Sequence, residues 1–296
     1  METGRIAVSK VGGKSTVTGC FSRYPLKFIV PRKVGSSEVD AVWVYGLTYG
    51  GGIVSGDTIS CKFEVGDGCT LVLTTQASTK VYKSLGMKCS QQFLEAEIGS
   101  GSVFVLIPDP VTCFSTARYF QKQVFRVAPD SNLVVVDWIT SGRHERGEKW
   151  DFQLYKSMNN IVAGDDLPLF LDTILLEPGE DVSPLAERMR DYQVIAMVIF
   201  LGPKLTCIQG HVQENVRRMM SEQLQGYHSA FGGQTRSKAQ YAASKPPFVA
   251  SCSSFGPKGL GTVVRVASTT TESVYTFLRH QLAGLEALIG VSPYHI

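Results

Sequence analysis

Short segments in which apolar and polar residues alternate fill the first 180 residues, and they restrict the fold more than any other feature. In segment 58–65, Ile59 and Phe63 fall on one face and Lys62 on the other, which is typical of a half-buried strand. A Gly-Asp-Gly turn at 66–68 precedes renewed alternation at 69–75, which predicts either a hairpin or a solenoid corner. Further strands are predicted at 92–98, 103–107, 120–127, 133–139 and 150–155. These 180 residues predict no convincing helix, so we expect a mainly β fold.

Helix signals begin only after residue 180. A Ser-Pro pair at 183–184 predicts a helix of about two turns that ends at the next strand. Apolar residues at helical spacing predict a second helix at 209–224. The capping-box spacing of Thr269 and Glu272, followed by an apolar stripe, predicts a third helix over 270–289.

The organisation of the chain favours a single domain over residues 1–296, because no linker divides it. Segment 225–247 is polar, small and without periodicity, so we predict a long mobile loop. Such loops are more typical of a surface insertion than of a partner-binding segment. No period of roughly 20 to 50 residues repeats, so any β-solenoid would have to be irregular.

Composition and charge exclude several classes of protein. With 29 basic and 26 acidic residues the net charge is +3, which favours neither a nucleic acid nor an acidic membrane surface as the main partner. No apolar run approaches the roughly 18 residues that a bilayer span requires, and the first residues lack the apolar core of a signal peptide. We therefore expect a cytoplasmic protein. The seven cysteines show no CxxC pair and the five histidines no HxxxH spacing, so we expect no preformed metal cage.

Two glycine-rich segments fail as nucleotide-binding motifs. The segment GGKS at 12–15 lacks the earlier glycine of a P-loop, because that position is Val8. The segment GGGIVSGD at 50–57 lies between two predicted strands, whereas the dinucleotide fingerprint requires a strand followed by a helix. Its Asp57 either hydrogen-bonds the amides of a crowded turn or contacts a cation.

Two further segments carry candidate chemistry. We expect the hydroxyl-rich segment 73–82 either to line a water-filled channel or to form an ordinary ladder of threonines on a sheet face. Nucleophilic catalysis by its Ser78 or Thr79 is disfavoured, because no GxSxG nucleophile elbow surrounds them. Asp137 interrupts an apolar strand, where an unpaired carboxylate would cost several kcal/mol. Arg143 or Arg146 is its expected partner, as a structural brace or beside a polar cavity that passes a divalent cation. His144 is a possible ligand, although a surface position is more typical.

Taken together, these motifs resemble the urease accessory protein family UreD, also called UreH. The resemblance rests on five segments in the family's order: YGGGIVSGD at 49–57, LTTQASTKVY at 73–82, IPDP at 107–110, VDW at 136–138 and SGRHERGE at 141–148. It extends through GTVVRV at 261–266 to the final helix and is weakest in the segment 225–247.

The resemblance implies a fold and a function. The expected fold is mainly β, an irregular β-helix or solenoid-like stack of many short strands with a few α-helices, including a C-terminal one. The expected function is non-enzymatic: members help deliver nickel to the urease active site, which holds two nickel ions. The implied partners are the urease apoprotein, UreF, and the GTPase UreG through UreF. No cofactor is expected to be tightly bound, because nickel is only in transit.

Family membership would also imply an internal polar passage for nickel. By motif position its acidic members are Asp57, Asp137 and Glu177, and Ser78, Thr79 and Tyr82 add polar lining. Carboxylates and hydroxyls suit transit because they hold a hydrated divalent ion weakly, whereas histidine and thiolate would retain it.

A function of a different class is a cytosolic β-solenoid hydrolase acting on carbohydrate. Its paired carboxylates would be Asp109 and Asp137, which such an enzyme needs about 5 to 10 Å apart in a substrate cleft.

Overall fold

Two large β-sheets form most of the molecule. The computed structural model describes residues 2–32, 34–36, 38–164, 166–179, 183–229 and 246–294. The strands are β1 (Gly4–Val11), β2 (Lys14–Ser22), β3 (Leu26–Ile29), β4 (Val42–Thr48), β5 (Gly52–Ile53), β6 (Thr58–Val65), β7 (Thr70–Thr75), β8 (Thr79–Val81), β9 (Ser90–Ile98), β10 (Val103–Leu106), β11 (Val111–Cys113), β12 (Arg118–Val127), β13 (Asn132–Thr140), β14 (Leu154–Ala163), β15 (Leu167–Leu176), β16 (Val194–Leu201), β17 (Phe248–Phe255) and β18 (Gly261–Ser268). The first sheet has the order β15-β14-β12-β9-β6-β1-β2, and the second has β17-β18-β16-β13-β10-β7-β4-β3.

The centre of the molecule is a β-solenoid, as predicted. Successive coils place β4, β7, β10 and β13 side by side in parallel in the second sheet, and β6, β9, β12 and β14 likewise in the first. The turn at 66–68 is therefore a corner between two sheets and not a hairpin. Residues at equivalent positions of neighbouring coils stack directly, as Leu71, Phe104 and Leu133 do.

A short third side completes three of the coils. Strands β5, β8 and β11 pair in parallel there, between the strands of the two large sheets. The fourth coil instead carries a loop over 141–153, so the strand predicted at 150–155 is wrong. Trp150 adopts a left-handed backbone (φ 55°), which ends any extended segment, and β14 begins only at Leu154.

Further strands extend both sheets beyond the solenoid, and all of those named here except β1, which is parallel to β6, run antiparallel to the strand they join. The first sheet gains the hairpin β1–β2 at one edge and β15 at the other. The second sheet gains β16, β18 and β17 on the far side of β13. Both sheets thus continue past the last coil, and β15 of one sheet faces β17 and β18 of the other. The Phe170 ring of β15 packs against the Phe255 ring of β17, with 4.6 Å between the ring centroids, and Arg265 of β18 pairs with Asp172.

In the described residues after position 180 there are four α-helices, at α1 (Leu185–Met189), α2 (Thr206–Ser229), α3 (Thr271–Leu282) and α4 (Glu286–Ile289). Helix α2 continues through residue 229, so the predicted loop cannot begin at 225; residues 230–245 of that segment lie outside the described residues. The N-cap of α3 is Thr270, one residue later than predicted, and its hydroxyl accepts from the Ser273 amide. None of the helices in the described ranges is long and apolar enough to cross a bilayer.

The second sheet separates two hydrophobic cores. One core fills the solenoid between the sheets, and the other packs the sheet's outer face against α2, α3 and α4. Strand β13 contributes to both: Val135 and Ile139 face the solenoid interior, whereas Val136 and Trp138 face the helices. This double burial explains its nearly continuous apolar sequence. Asp137 alternates with the helix-facing residues and therefore points into the solenoid.

Candidate functional site

Polar side chains are aligned across the first sheet by the register of its strands. Gln92, Gln121 and Ser157 are direct neighbours on β9, β12 and β14. Two residues further along the same face, Gln123 of β12 pairs with Asn159 of β14, and Asn159 pairs with Asp172 of β15. We call these six residues, together with Asp137 from the opposite sheet, the polar seam. It crosses an interior in which most buried side chains are apolar.

Asp137 is the acidic centre of the polar seam. It is 4% exposed, and its two carboxylate oxygens accept three hydrogen bonds from neutral side chains. Gln121 Nε2 donates to Oδ1 at 3.1 Å, while Ser157 Oγ and Asn159 Nδ2 donate to Oδ2 at 2.6 and 2.7 Å. Burial raises the pKa of Asp137, and the three donors partly oppose that rise. The nearby carboxylate of Asp172 raises the pKa further.

The partner predicted for Asp137 is wrong. Arg143 turns away from the solenoid and forms an ion pair with Glu148 in the loop of the fourth coil, where its Nε donates to Glu148 Oε2 at 2.9 Å. Arg146 and His144 are exposed at the tip of the same loop. Arg143 and Arg146 are close to Asp137 in sequence, but β13 ends at Thr140 and the chain then turns away from Asp137. The side chains that do contact Asp137 come from strands of the facing sheet.

A cavity of about 90 Å³ adjoins the polar seam between the sheets. Asp137, Gln121 and Gln123 line it, together with Thr79 and Asp109. The hydrogen-bond network of the polar seam continues along the first sheet to Tyr119. The buried Tyr119 hydroxyl donates to Gln121 and lies 3.0 Å from Gln92 Oε1.

Asp109 lies where the cavity approaches the helices. Its Oδ1 accepts from the Tyr275 hydroxyl of α3 at 2.7 Å, and its Oδ2 accepts from Thr75 at 3.2 Å. Asp109 and Asp137 therefore line one cavity, as the hydrolase alternative requires. Its volume, however, is far below the roughly 300 to 1,000 Å³ of typical small-molecule sites. The geometry does not favour a sugar substrate.

The opposite end of the polar seam reaches the outer edge of the first sheet. Asp172 Oδ1 accepts from the half-exposed Arg265 of β18 at 2.7 Å. Asp172 Oδ2, Asn159 Oδ1 and Gln123 Oε1 are all buried and have no hydrogen-bond donor in the described part of the chain. The seam thus runs from the cavity to an ion pair at the molecular surface.

The remaining predicted residues are dispersed. Asp57 is half-buried at a corner; its Oδ2 also has no donor among the residues that the structure describes, but it does not line the cavity. Ser78 lines surface depressions on the short third side, where the Tyr82 hydroxyl donates to Gly50. Glu177 is exposed just beyond β15. The structure therefore brings together Asp137 and Thr79, and it adds residues that the sequence motifs did not indicate: Gln92, Gln121, Gln123, Ser157, Asn159 and Asp172.

The seam offers oxygen donors and no metal cage. Within the described ranges, no three His, Cys, Asp or Glu side chains are grouped so that they could hold a metal ion. Burial raises the pKa of Cys61, which also lines the cavity, to about 12, so this thiol stays protonated at neutral pH. Protonated thiols are poor metal ligands, and carboxylate and amide oxygens suit a late first-row metal such as nickel less well than imidazole nitrogen does. Chemically, the seam presents carboxylate, amide and hydroxyl oxygens to the interior.

Comparison with known proteins identifies the family. The model of the UreD urease accessory protein family matches residues 2–295. The chain belongs to the UreD family of urease accessory proteins. It is 63% identical to urease accessory protein D of Arabidopsis thaliana over 99% of this chain and 100% of that protein. It is also similar to UreD of an Anaeromyxobacter strain, at 32% identity over 98% of this chain and 88% of that protein. The resemblance inferred from the motifs is confirmed.

Proposed function

We propose that this chain is a non-catalytic maturation factor for urease that helps deliver nickel to the apoprotein along the polar seam. Membership of the UreD family supports the maturation role. The observation that supports the route is Asp137, a buried carboxylate whose three hydrogen-bond partners are all neutral, beside a cavity inside the solenoid. Such a carboxylate attracts a cation, and uncharged donors do not compete for its charge.

The proposed partners are the urease apoprotein and UreF, with the GTPase UreG recruited through UreF. Assigning GTP binding to UreG agrees with the structure of this chain, because the P-loop-like segment at 12–15 lies in the hairpin β1–β2 and is followed by a strand and not by a helix. GTP binding would then belong to a partner. Nickel is cargo in this proposal and not a resident cofactor, and the site of action is the cytoplasm.

The first experiment is urease activation in cells that make apo-urease and the other accessory proteins, with and without this chain. Activity and nickel content should depend on the chain at limiting nickel. If urease matures equally well without it at both limiting and excess nickel, the proposed function is wrong.

The second experiment tests the route with Asp137→Asn, which preserves the side-chain volume and removes the charge. It should lower urease nickel content at limiting nickel while the chain still co-purifies with apo-urease. The matched control is Glu148→Gln, because Glu148 is a similarly buried carboxylate outside the cavity. Equal losses for both variants, or loss of the complex with Asp137→Asn, would refute the route.

A further inference from the structure

Three buried oxygen atoms of the polar seam have no hydrogen-bond donor in the described residues: Gln123 Oε1, Asn159 Oδ1 and Asp172 Oδ2. Gln123 is 5% exposed and Asn159 is fully buried. A buried acceptor that lacks a donor destabilises the fold, because its hydration is lost and not replaced. Because buried polar groups are nearly always paired, three such atoms on consecutive strands of one sheet indicate that a ligand completes them.

The three residues form a single row. They are direct register neighbours on β12, β14 and β15, and adjacent strands lie about 4.8 Å apart. Directly paired residues project from the same face of a sheet, so their side chains are adjacent. The orientation of the Asn159 amide is fixed, because its Nδ2 must donate to Asp137. Its oxygen therefore belongs to the row and cannot be exchanged for the nitrogen.

The row connects the cavity with the surface. Gln123 lines the cavity, and Asp172 lies at the edge strand of the sheet. The Asp172 side chain is 12% exposed, while that of its partner Arg265 is 49% exposed. The Arg265 guanidinium thus pairs with Asp172 Oδ1, whereas Asp172 Oδ2 is the oxygen that belongs to the row.

We infer that this row is a binding site, here called the station, for a partly hydrated divalent cation. We further infer that Arg265 is its gate, because the guanidinium controls access to the end of the row that lies nearest the surface. The inference rests on the proposed function, because it names the point at which the seam exchanges its cargo with solvent. Two amide oxygens and one carboxylate oxygen match the oxygen donors that hydrated divalent cations accept. The Arg265 guanidinium competes with that cation for one carboxylate, which keeps binding weak enough for release.

Binding of Ni²⁺ to the purified chain, measured by isothermal titration calorimetry, tests this inference. An ion pair this exposed is worth about 0.2 to 1 kcal/mol, so Arg265→Gln should tighten Ni²⁺ binding by a factor of about 1.4 to 5. Asp172→Asn should abolish the station's binding isotherm. In the double variant, Arg265→Gln should have no effect, because its target carboxylate is gone. Thermal unfolding of each variant verifies that it is folded, and Gln123→Met should weaken binding independently if Asp172→Asn fails to fold.

The matched control is Arg126→Gln, which removes one positive charge from another exposed ion pair, with Asp166. An equal tightening in this control would mean a general change of charge and would overturn the gate. Unchanged Ni²⁺ binding in Asp172→Asn, as expected if water alone completes the three oxygens, would overturn the station.

Failure of this inference is distinguishable from failure of the proposed function. If urease activation requires the chain but the Asp172 and Arg265 variants bind Ni²⁺ as the wild type does, only the station and gate are wrong. If the binding pattern holds but urease matures without the chain, the station stands as a cation site and the delivery role is wrong.

Discussion

Replacing Asp137 with asparagine or with leucine should separate the structural role of this side chain from its charge. The carboxylate accepts from Gln121, Ser157 and Asn159. Leucine removes all three acceptor contacts. The side-chain amides of Gln121 and Asn159 can still donate to Ser157 Oγ, at 3.1 and 3.5 Å respectively. The Ser157 hydroxyl is therefore the one donor of the three that is left without any acceptor.

The expected loss follows from this count. One fully orphaned donor and two partly orphaned amides, at roughly 1 to 3 kcal/mol for a complete loss, give about 2 to 4 kcal/mol for Asp137→Leu. Removal of a buried charge offsets part of this cost. Asp137→Asn keeps one acceptor oxygen and lowers the burial penalty, so it should cost less than about 1 kcal/mol.

Urea denaturation of the purified variants, followed by tryptophan fluorescence, measures these differences. Trp138 is adjacent in sequence and 2% exposed, so it reports unfolding of this region. If Asp137→Asn destabilises the chain as much as Asp137→Leu, the negative charge itself stabilises the fold. The carboxylate would then have a counter-ion within the native protein, and the proposal of a carboxylate free to attract nickel would be refuted.

Three further substitutions test other parts of the structure. The hydrogen bonds from Arg143 lower the pKa of Glu148 below its value in the unfolded chain. They therefore stabilise the folded protein at pH values above the unfolded pKa of glutamate, and this stabilisation is lost as the pH falls. Glu148→Gln should therefore cost about 1 to 2 kcal/mol at neutral pH, and the gap to wild type in urea denaturation should close between about pH 5 and pH 3. Gly202→Ala should prevent stable folding, measured as soluble yield and melting temperature, because φ is 114° and a Cβ would lie 2.2 Å from the Ser131 carbonyl oxygen. Thr270→Ala removes the N-cap of α3 and should cost about 1 kcal/mol in chemical denaturation.

Much of the solenoid could be predicted from local sequence, because each coil carries its own alternation and its own turn. Segment 58–65 is a strand with the predicted bounds, and strands β9, β10, β12 and β13 agree with the prediction to within about two residues, whereas β11 was not predicted. Strands β14 and β15 were missed. Their inner faces carry Ser157, Asn159 and Asp172, so the apolar half of the alternation is interrupted there. The polar residues that obscured the strand pattern are those of the polar seam.

The seam itself could be predicted only at Asp137, and the reason is geometric. Asp137 stands out because it interrupts an apolar run, which is a local property of one strand. Gln123, Asn159 and Asp172 become neighbours only through the lateral register of three strands, and a shift of one residue in any strand would turn its side chain to the opposite face. Register depends on the lengths of intervening corners, including the bulge between Ile161 and Val162, and no motif records it. In a solenoid of irregular coils, a site built across coils therefore has to be recognised from the structure.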